Sequence, residues 1–92
     1  MKLATIKKQP IERFSYTIDY SEALTLGDNL ETVNASVDPI GLIVENVGVY
    51  DPRVKLWVSG GDAGVSYKVT VTVNTSDGRI FQDELVFRIK EL

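Results

Sequence analysis

The sequence predicts an all-β protein, an immunoglobulin-like antiparallel β-sandwich of about seven strands with Greek-key connections. Three observations predict it. Apolar residues alternate with polar ones in segment after segment, turn signals recur roughly every eight to twelve residues, and no stretch carries the period of a long amphipathic helix.

The first strand is expected over Glu12 to Asp19, where Phe14, Tyr16 and Ile18 alternate with Arg13, Ser15 and Thr17. Ahead of it, Lys7-Lys8-Gln9-Pro10 includes a proline that cannot donate to a ladder. Residues 1–10 therefore read as an extended N-terminal arm or an edge piece, mobile when alone, and residues 11–92 as the single sandwich domain. Ser21 is a suitable N-cap for one helical turn over Tyr20 to Leu24. Gly27-Asp28 ends that turn at once, which implies a short connection over one end of the sandwich.

From Leu30 to Val37, Val33, Ala35 and Val37 face one way and Thr32, Asn34 and Ser36 the other, until Asp38-Pro39 stops the strand. Leu42 and Val44, then Val47 and Val49, alternate with one break at Glu45-Asn46, so two short strands or one bulged strand are expected. Asp51-Pro52 closes that segment. Arg53 to Ser59 sets Val54, Leu56 and Val58 on one face and Lys55 and Trp57 on the other.

Gly60-Gly61-Asp62-Ala63-Gly64 leads into the clearest strand, in which Tyr67, Val69, Val71 and Val73 alternate with Lys68, Thr70, Thr72 and Asn74. Thr75-Ser76-Asp77-Gly78 supplies a hairpin turn, because glycine accepts positive φ without steric cost. Ile80 opens the return strand, and Leu85, Phe87 and Ile89 mark its inward face. The parity change between Ile80 and Leu85 predicts a bulge near Gln82 to Glu84.

Composition excludes several functions. A chain of 92 residues is one domain, since halving it leaves neither part a useful core. Its net charge of -3 repels a phosphate backbone, so nucleic acid is not an expected partner. Neither Cys nor His occurs, which removes disulfides, thiolate or imidazole metal ligands and Ser-His-Asp triads. No apolar run is long enough for a signal peptide or membrane helix, so the default expectation is a cytoplasmic protein without a membrane partner. The matches Asn34-Ala35-Ser36 and Asn74-Thr75-Ser76 to the glycosylation pattern then read as chance.

The Gly60–Gly64 stretch enters a strand and no Lys-Ser or Lys-Thr follows it, so it is not a phosphate cradle. Asp19, Glu22, Asp28, Asp51, Asp62, Asp77, Asp83 and Glu84 fall mostly at predicted turns, where Asp favours the local backbone geometry, and no EF-hand spacing appears. No catalytic, cofactor-binding or metal-ligating residue is expected. Trp57, Tyr50 and Tyr20 suggest an exposed aromatic surface for a protein or sugar partner; the other reading packs Trp57 in the core.

Two blocks carry a resemblance. Lys8-Gln9-Pro10-Ile11-Glu12, Tyr16-Thr17-Ile18-Asp19-Tyr20-Ser21, Leu24, Gly27-Asp28 and Leu30 form the first. Trp57, Gly60-Gly61, Ala63-Gly64, Tyr67-Lys68-Val69 and Thr75-Ser76-Asp77-Gly78-Arg79 form the second. Together they resemble the small immunoglobulin-like proteins of tailed phages and prophages described as fibre-tail adaptors. The resemblance implies a virion component made in the bacterial host cytoplasm, an adaptor or connector of the tail or head-tail region, with no cofactor and no active site. Its partners would be other virion proteins, with a homo-oligomeric ring as one arrangement. The candidate interaction surface is Lys7, Lys8 and Pro10 in the arm, Tyr20, Leu24 and Asp28 in the first connection, and Tyr50 and Trp57. A carbohydrate-binding or adhesion module using the aromatics is the alternative.

Overall fold

The computed structural model describes residues 1–91 and contains seven strands: β1 (Lys2–Lys8), β2 (Phe14–Asp19), β3 (Leu30–Asp38), β4 (Leu42–Tyr50), β5 (Arg53–Gly60), β6 (Ser66–Thr75) and β7 (Ile80–Ile89). They form two packed sheets, a four-stranded one in the order β1-β7-β6-β3 and a three-stranded one in the order β2-β5-β4. All pairings are antiparallel except β1 with β7, which is parallel. The runs β2-β5-β4 and β7-β6-β3 follow the B-E-D and G-F-C orders of immunoglobulin domains, which supports the immunoglobulin-like reading.

The core is the product of period-2 patterning. Val54, Leu56 and Val58 of β5 face Val69, Val71 and Val73 of β6, and all six are fully buried. Tyr67, Phe87 and Ile89 extend the layer, and the Tyr16 ring meets Phe87 edge-on at 5.2 Å between centroids. Each fully buried aliphatic side chain contributes about 1.5–3 kcal/mol, so the central strand of each sheet carries much of the stability.

The strand bearing Trp57 has the expected register, with Trp57 on the outer face. The segment Leu42–Tyr50 is one strand with an irregularity between Glu45 and Gly48, where Asn46 takes φ 52°. Two glycines have steric reasons for their place. Gly41, at φ +134°, would bring a Cβ within 2.7 Å of the Tyr67 hydroxyl, and Gly61, at φ +95°, within 2.8 Å of Ile89.

The structure bears on three expectations. First, of the two readings of the N-terminal segment, arm or edge piece, residues 2–8 take the second and form the edge strand β1, which brings Ala4 and Ile6 against the core. The Met1 ammonium donates to the Gln82 carbonyl and Glu84 N–H to the Met1 carbonyl, so the ladder begins at the first residue. Second, β7 has no bulge near Gln82 to Glu84, because its register with β6 is unbroken from Ser66↔Arg88 to Asn74↔Ile80. Ile80 is exposed, and Asp83 occupies an inward position that the pattern assigned to an apolar residue. Third, the single turn over Tyr20 to Leu24 is present, with the Tyr20 carbonyl accepting from the N–H groups of Ala23 and Leu24, and it does not continue into a helix.

Asp83 is tolerated inside because it has a donor. The buried Tyr20 hydroxyl donates to its carboxylate at 2.6 Å, and the Tyr20 ring stacks on Phe81 at 5.1 Å. Burial, followed by the bond to Asp83, pushes the Tyr20 phenol well above its ordinary range. Replacing Tyr20→Phe leaves the carboxylate without that donor and should destabilise the fold by about 1–3 kcal/mol in urea denaturation. Tyr20→Phe with Asp83→Leu removes both partners and should recover much of that loss. A double variant weaker than the sum of the single ones would show that the pair is not the cause.

Candidate functional site

The strands run along the molecule, whose extents are 45 × 19 × 19 Å, so the connections gather at two opposite ends. One end holds the 9–13 turn, the 38–41 link and the 60–65 loop. The other holds the 20–29 connection and the turns at 51–52 and 75–79. Contacts between the sheets fix this assignment: Lys8 reaches Gly60 at the first end, and Leu30 N–H donates to Asp51 at the second.

At the first end, Lys8 is buried beneath the surface, with 2% of it exposed. Its ammonium donates to the carbonyls of Gly60 at 2.6 Å, Gln9 at 2.8 Å and Pro10 at 3.4 Å. Burial lowers its pKa, opposed by the charge of Glu12. Lys8 thereby ties the turn after β1 to the end of β5 and acts as an anchor. Above that anchor Pro10 is half-buried and Ile11 is 92% exposed. Ile40, in the link between β3 and β4, is likewise 92% exposed. Lys7 is exposed on β1, opposite Arg88 in the ladder. A depression of about 210 Å³ lies beside them, lined by Lys7, Lys8, Gln9, Glu12 and Lys90.

At the second end, Asp28 is the organising group. Its side chain is fully shielded and accepts from Ser76 Oγ at 2.9 Å, Asp77 N–H at 3.0 Å, Asn29 N–H at 3.0 Å and Arg79 Nη1 at 3.0 Å. Burial alone would raise its carboxyl. The bonds from Asp77, Thr75, Ser76 and Arg79 outweigh that effect and hold it at about 2. The result is a fixed joint between the 20–29 connection and the β6–β7 turn. Leu24 is half-buried against the core, whereas Leu26 at the apex is fully exposed. Tyr50, the last residue of β4 at this end, is exposed, and its ring lies over Gly48.

Trp57 sits apart from both ends on the outer face of β5. The Arg13 guanidinium lies 4.3 Å and the Lys55 ammonium 5.5 Å from its ring centroid, and Arg13 also bonds Glu45. The three aromatics therefore do not make one surface, since Tyr20 is buried, Tyr50 is terminal and Trp57 is already stacked. Among the described residues, no group of three or more acidic side chains is placed to hold a metal ion.

Of the eight candidate residues, Lys8, Tyr20 and Asp28 are buried and support the ends from within. Ile11, Leu26 and Ile40 are exposed apolar residues at the two ends that lie outside that set. A signal for them existed: each is a lone apolar residue wedged against a turn former, in Pro10-Ile11, Leu26-Gly27 and Pro39-Ile40-Gly41.

Both ends thus combine buried polar supports with exposed apolar residues. Residues 8–88 match the model of the family described as Podophage GP4 fiber-tail adaptor protein gp77. The chain belongs to that family. The match takes in β2 to β6 whole and β7 as far as Arg88, with the Lys8 anchor and the Asp28 joint, and leaves out β1 before Lys8. The search of curated proteins found no match. This fibre-tail adaptor family is one of phage structural components, not of enzymes.

The Asp28 joint gives a pH dependence with a defined sign. The folded carboxyl titrates below its unfolded value of about 3.9, so its stabilisation is complete above that value and lost as pH falls toward about 2. Asp28→Asn should lower Tm by several degrees at neutral pH, and thermal melts of the two proteins should converge as pH drops through this window. Parallel melting curves at every pH would show that the charge of Asp28 is not what holds the joint.

Proposed function

We propose that this protein is a connector within the phage tail that bridges two different virion components, one at each end of its long axis. The observation that carries the reading is the placement of exposed apolar residues at opposite ends of a 45 Å body: Ile11 and Ile40 at one, Leu26 and Tyr50 at the other. Exposed apolar groups held on anchored turns suit protein contacts, because burying them on binding costs little further ordering. Membership of the fibre-tail adaptor family supports the same role and supports residence in the virion.

The carbohydrate-binding alternative has weaker support. Stacking on a sugar needs a bare aromatic face, and the Trp57 ring is already engaged by Arg13. The outer face of the larger sheet carries a shallow groove lined by the small polar and apolar side chains of Asn34, Ala35, Ser36, Thr70 and Thr72, with no aromatic among them.

The bridging role separates the two ends experimentally. In a phage whose own copy is deleted, complementation with Leu26→Asp should abolish one attachment, and Ile11→Asp with Ile40→Asp the other. The two variants should therefore yield particles arrested with different protein compositions. All three positions are exposed, so circular dichroism should show folded protein in each case. Infectious particles of normal composition from both variants would overturn the proposal, as would arrest at the same step.

A further inference from the structure

Every open sandwich has strand edges, and natural proteins guard them against pairing. Three of the four edges here are guarded. On β1, the exposed Lys2 and Lys7 place like charges along the edge. On β3, the edge packs against β4 of the other sheet and ends at Asp38-Pro39. On β4, the strand is bent by the irregularity at Glu45 to Gly48.

The edge of β2 has none of these devices. It contains no Lys, Pro or bulge, and its pairing with β5 is unbroken from Phe14↔Val58 to Asp19↔Arg53. Among the described residues no strand lies on its other side. Its inward side chains report the missing neighbour. Val54, Leu56 and Val58 of the adjoining strand are fully buried, whereas their partners Ile18 and Tyr16 are half-buried and Phe14 is 50% exposed.

We propose that this edge pairs with β2 of a second copy, antiparallel about a two-fold axis at Tyr16. Period-2 geometry requires paired residues to share a face, and the register centred on Tyr16 meets that requirement at every position. It sets Ser15 opposite Thr17, Phe14 opposite Ile18, and Arg13 opposite Asp19, once on each side of the axis. Hydroxyl meets hydroxyl, apolar meets apolar, and each cation meets an anion. These are favourable cross-strand combinations, and the two-fold axis makes the patch complementary to itself.

The charged groups can turn to the contact by exchanging exposed internal partners. Arg13 bonds Glu45 through Nε and Nη2 and lies over Trp57, both on the β5 side of its strand, so pairing with Asp19 of the second copy replaces these contacts. One Asp19 oxygen accepts from Ser21 N–H and the other lies 3.6 Å from Arg53 Nε, leaving lone pairs free. The product is a continuous six-stranded sheet, β4-β5-β2 joined to its symmetry copy. A two-fold contact closes on itself and gives a pair; assembly of pairs into a ring requires a further contact.

Sedimentation equilibrium of the full chain from micromolar to millimolar concentration tests the proposal, together with hydrogen exchange of the β2 amides. A monomer-dimer equilibrium is expected, with alternate β2 amides gaining protection as concentration rises. Arg13→Glu sets two acid pairs across the axis and should weaken the dimer roughly tenfold or more. Arg13→Glu with Asp19→Arg restores opposite charges across the axis and should recover association. Both variants disrupt the internal pairs of Arg13, and the double variant also that of Asp19, so a loss due to misfolding would not be rescued. A monomer at all concentrations, a dimer indifferent to Arg13→Glu, absence of rescue, or protection rising outside β2 would each overturn the proposal.

Discussion

The contact of Val54, Leu56 and Val58 with Val69, Val71 and Val73 is the constraint on which the rest of the structure depends. A chain of 92 residues without cysteine has no covalent staple and room for one core, so the central strands of both sheets must present unbroken aliphatic rows to each other. Once β5 and β6 face one another, the flanking strands are fixed by pairing. Their registers follow, since a slip by one residue would turn each row to solvent. Polar groups are then confined to the outer faces and the ends. The ends are where the molecule departs from simple alternation.

At both ends a buried polar group does work that apolar packing does elsewhere. Lys8 collects three carbonyls, Asp28 collects donors from two connections, and Tyr20 meets Asp83. Turns leave backbone groups without ladder partners, and such groups need satisfying when they are covered. A side chain with several donors or acceptors meets that need in little volume. Among the described residues, every buried side-chain polar atom has a partner. This satisfaction keeps the connections fixed while Ile11, Ile40 and Leu26 remain exposed above them.

The fold was largely legible in the sequence because alternation and turn chemistry are local signals. Phe14 to Ile18, Val33 to Val37, Val54 to Val58 and Tyr67 to Val73 all face as their spacing indicates. The failures share one cause. Lys2 to Lys8 is a strand whose alternation is diluted by lysines at an edge, and its pairing partner is the last strand, more than seventy residues away. Asp83 broke the pattern of β7 because its donor, Tyr20, comes from a distant connection. Asp28 and Lys8 read as surface charges for the same reason. Whether a charged residue in a turn is solvated or enclosed depends on long-range partners, and these are not encoded in its neighbours.

The edges complete this logic. Lysine at β1, packing at β3 and a bulge at β4 each carry a cost in local regularity, and β2 has been left regular between guarded neighbours. Stability of the isolated chain gives no reason for that asymmetry, since Phe14, Tyr16 and Ile18 would bury more apolar surface beneath another strand. An opposing strand of like composition supplies the missing cover without disturbing either end of the molecule. The lateral edge and the two terminal surfaces are therefore separable features: one suits association of like chains, and the others suit contact with unlike ones.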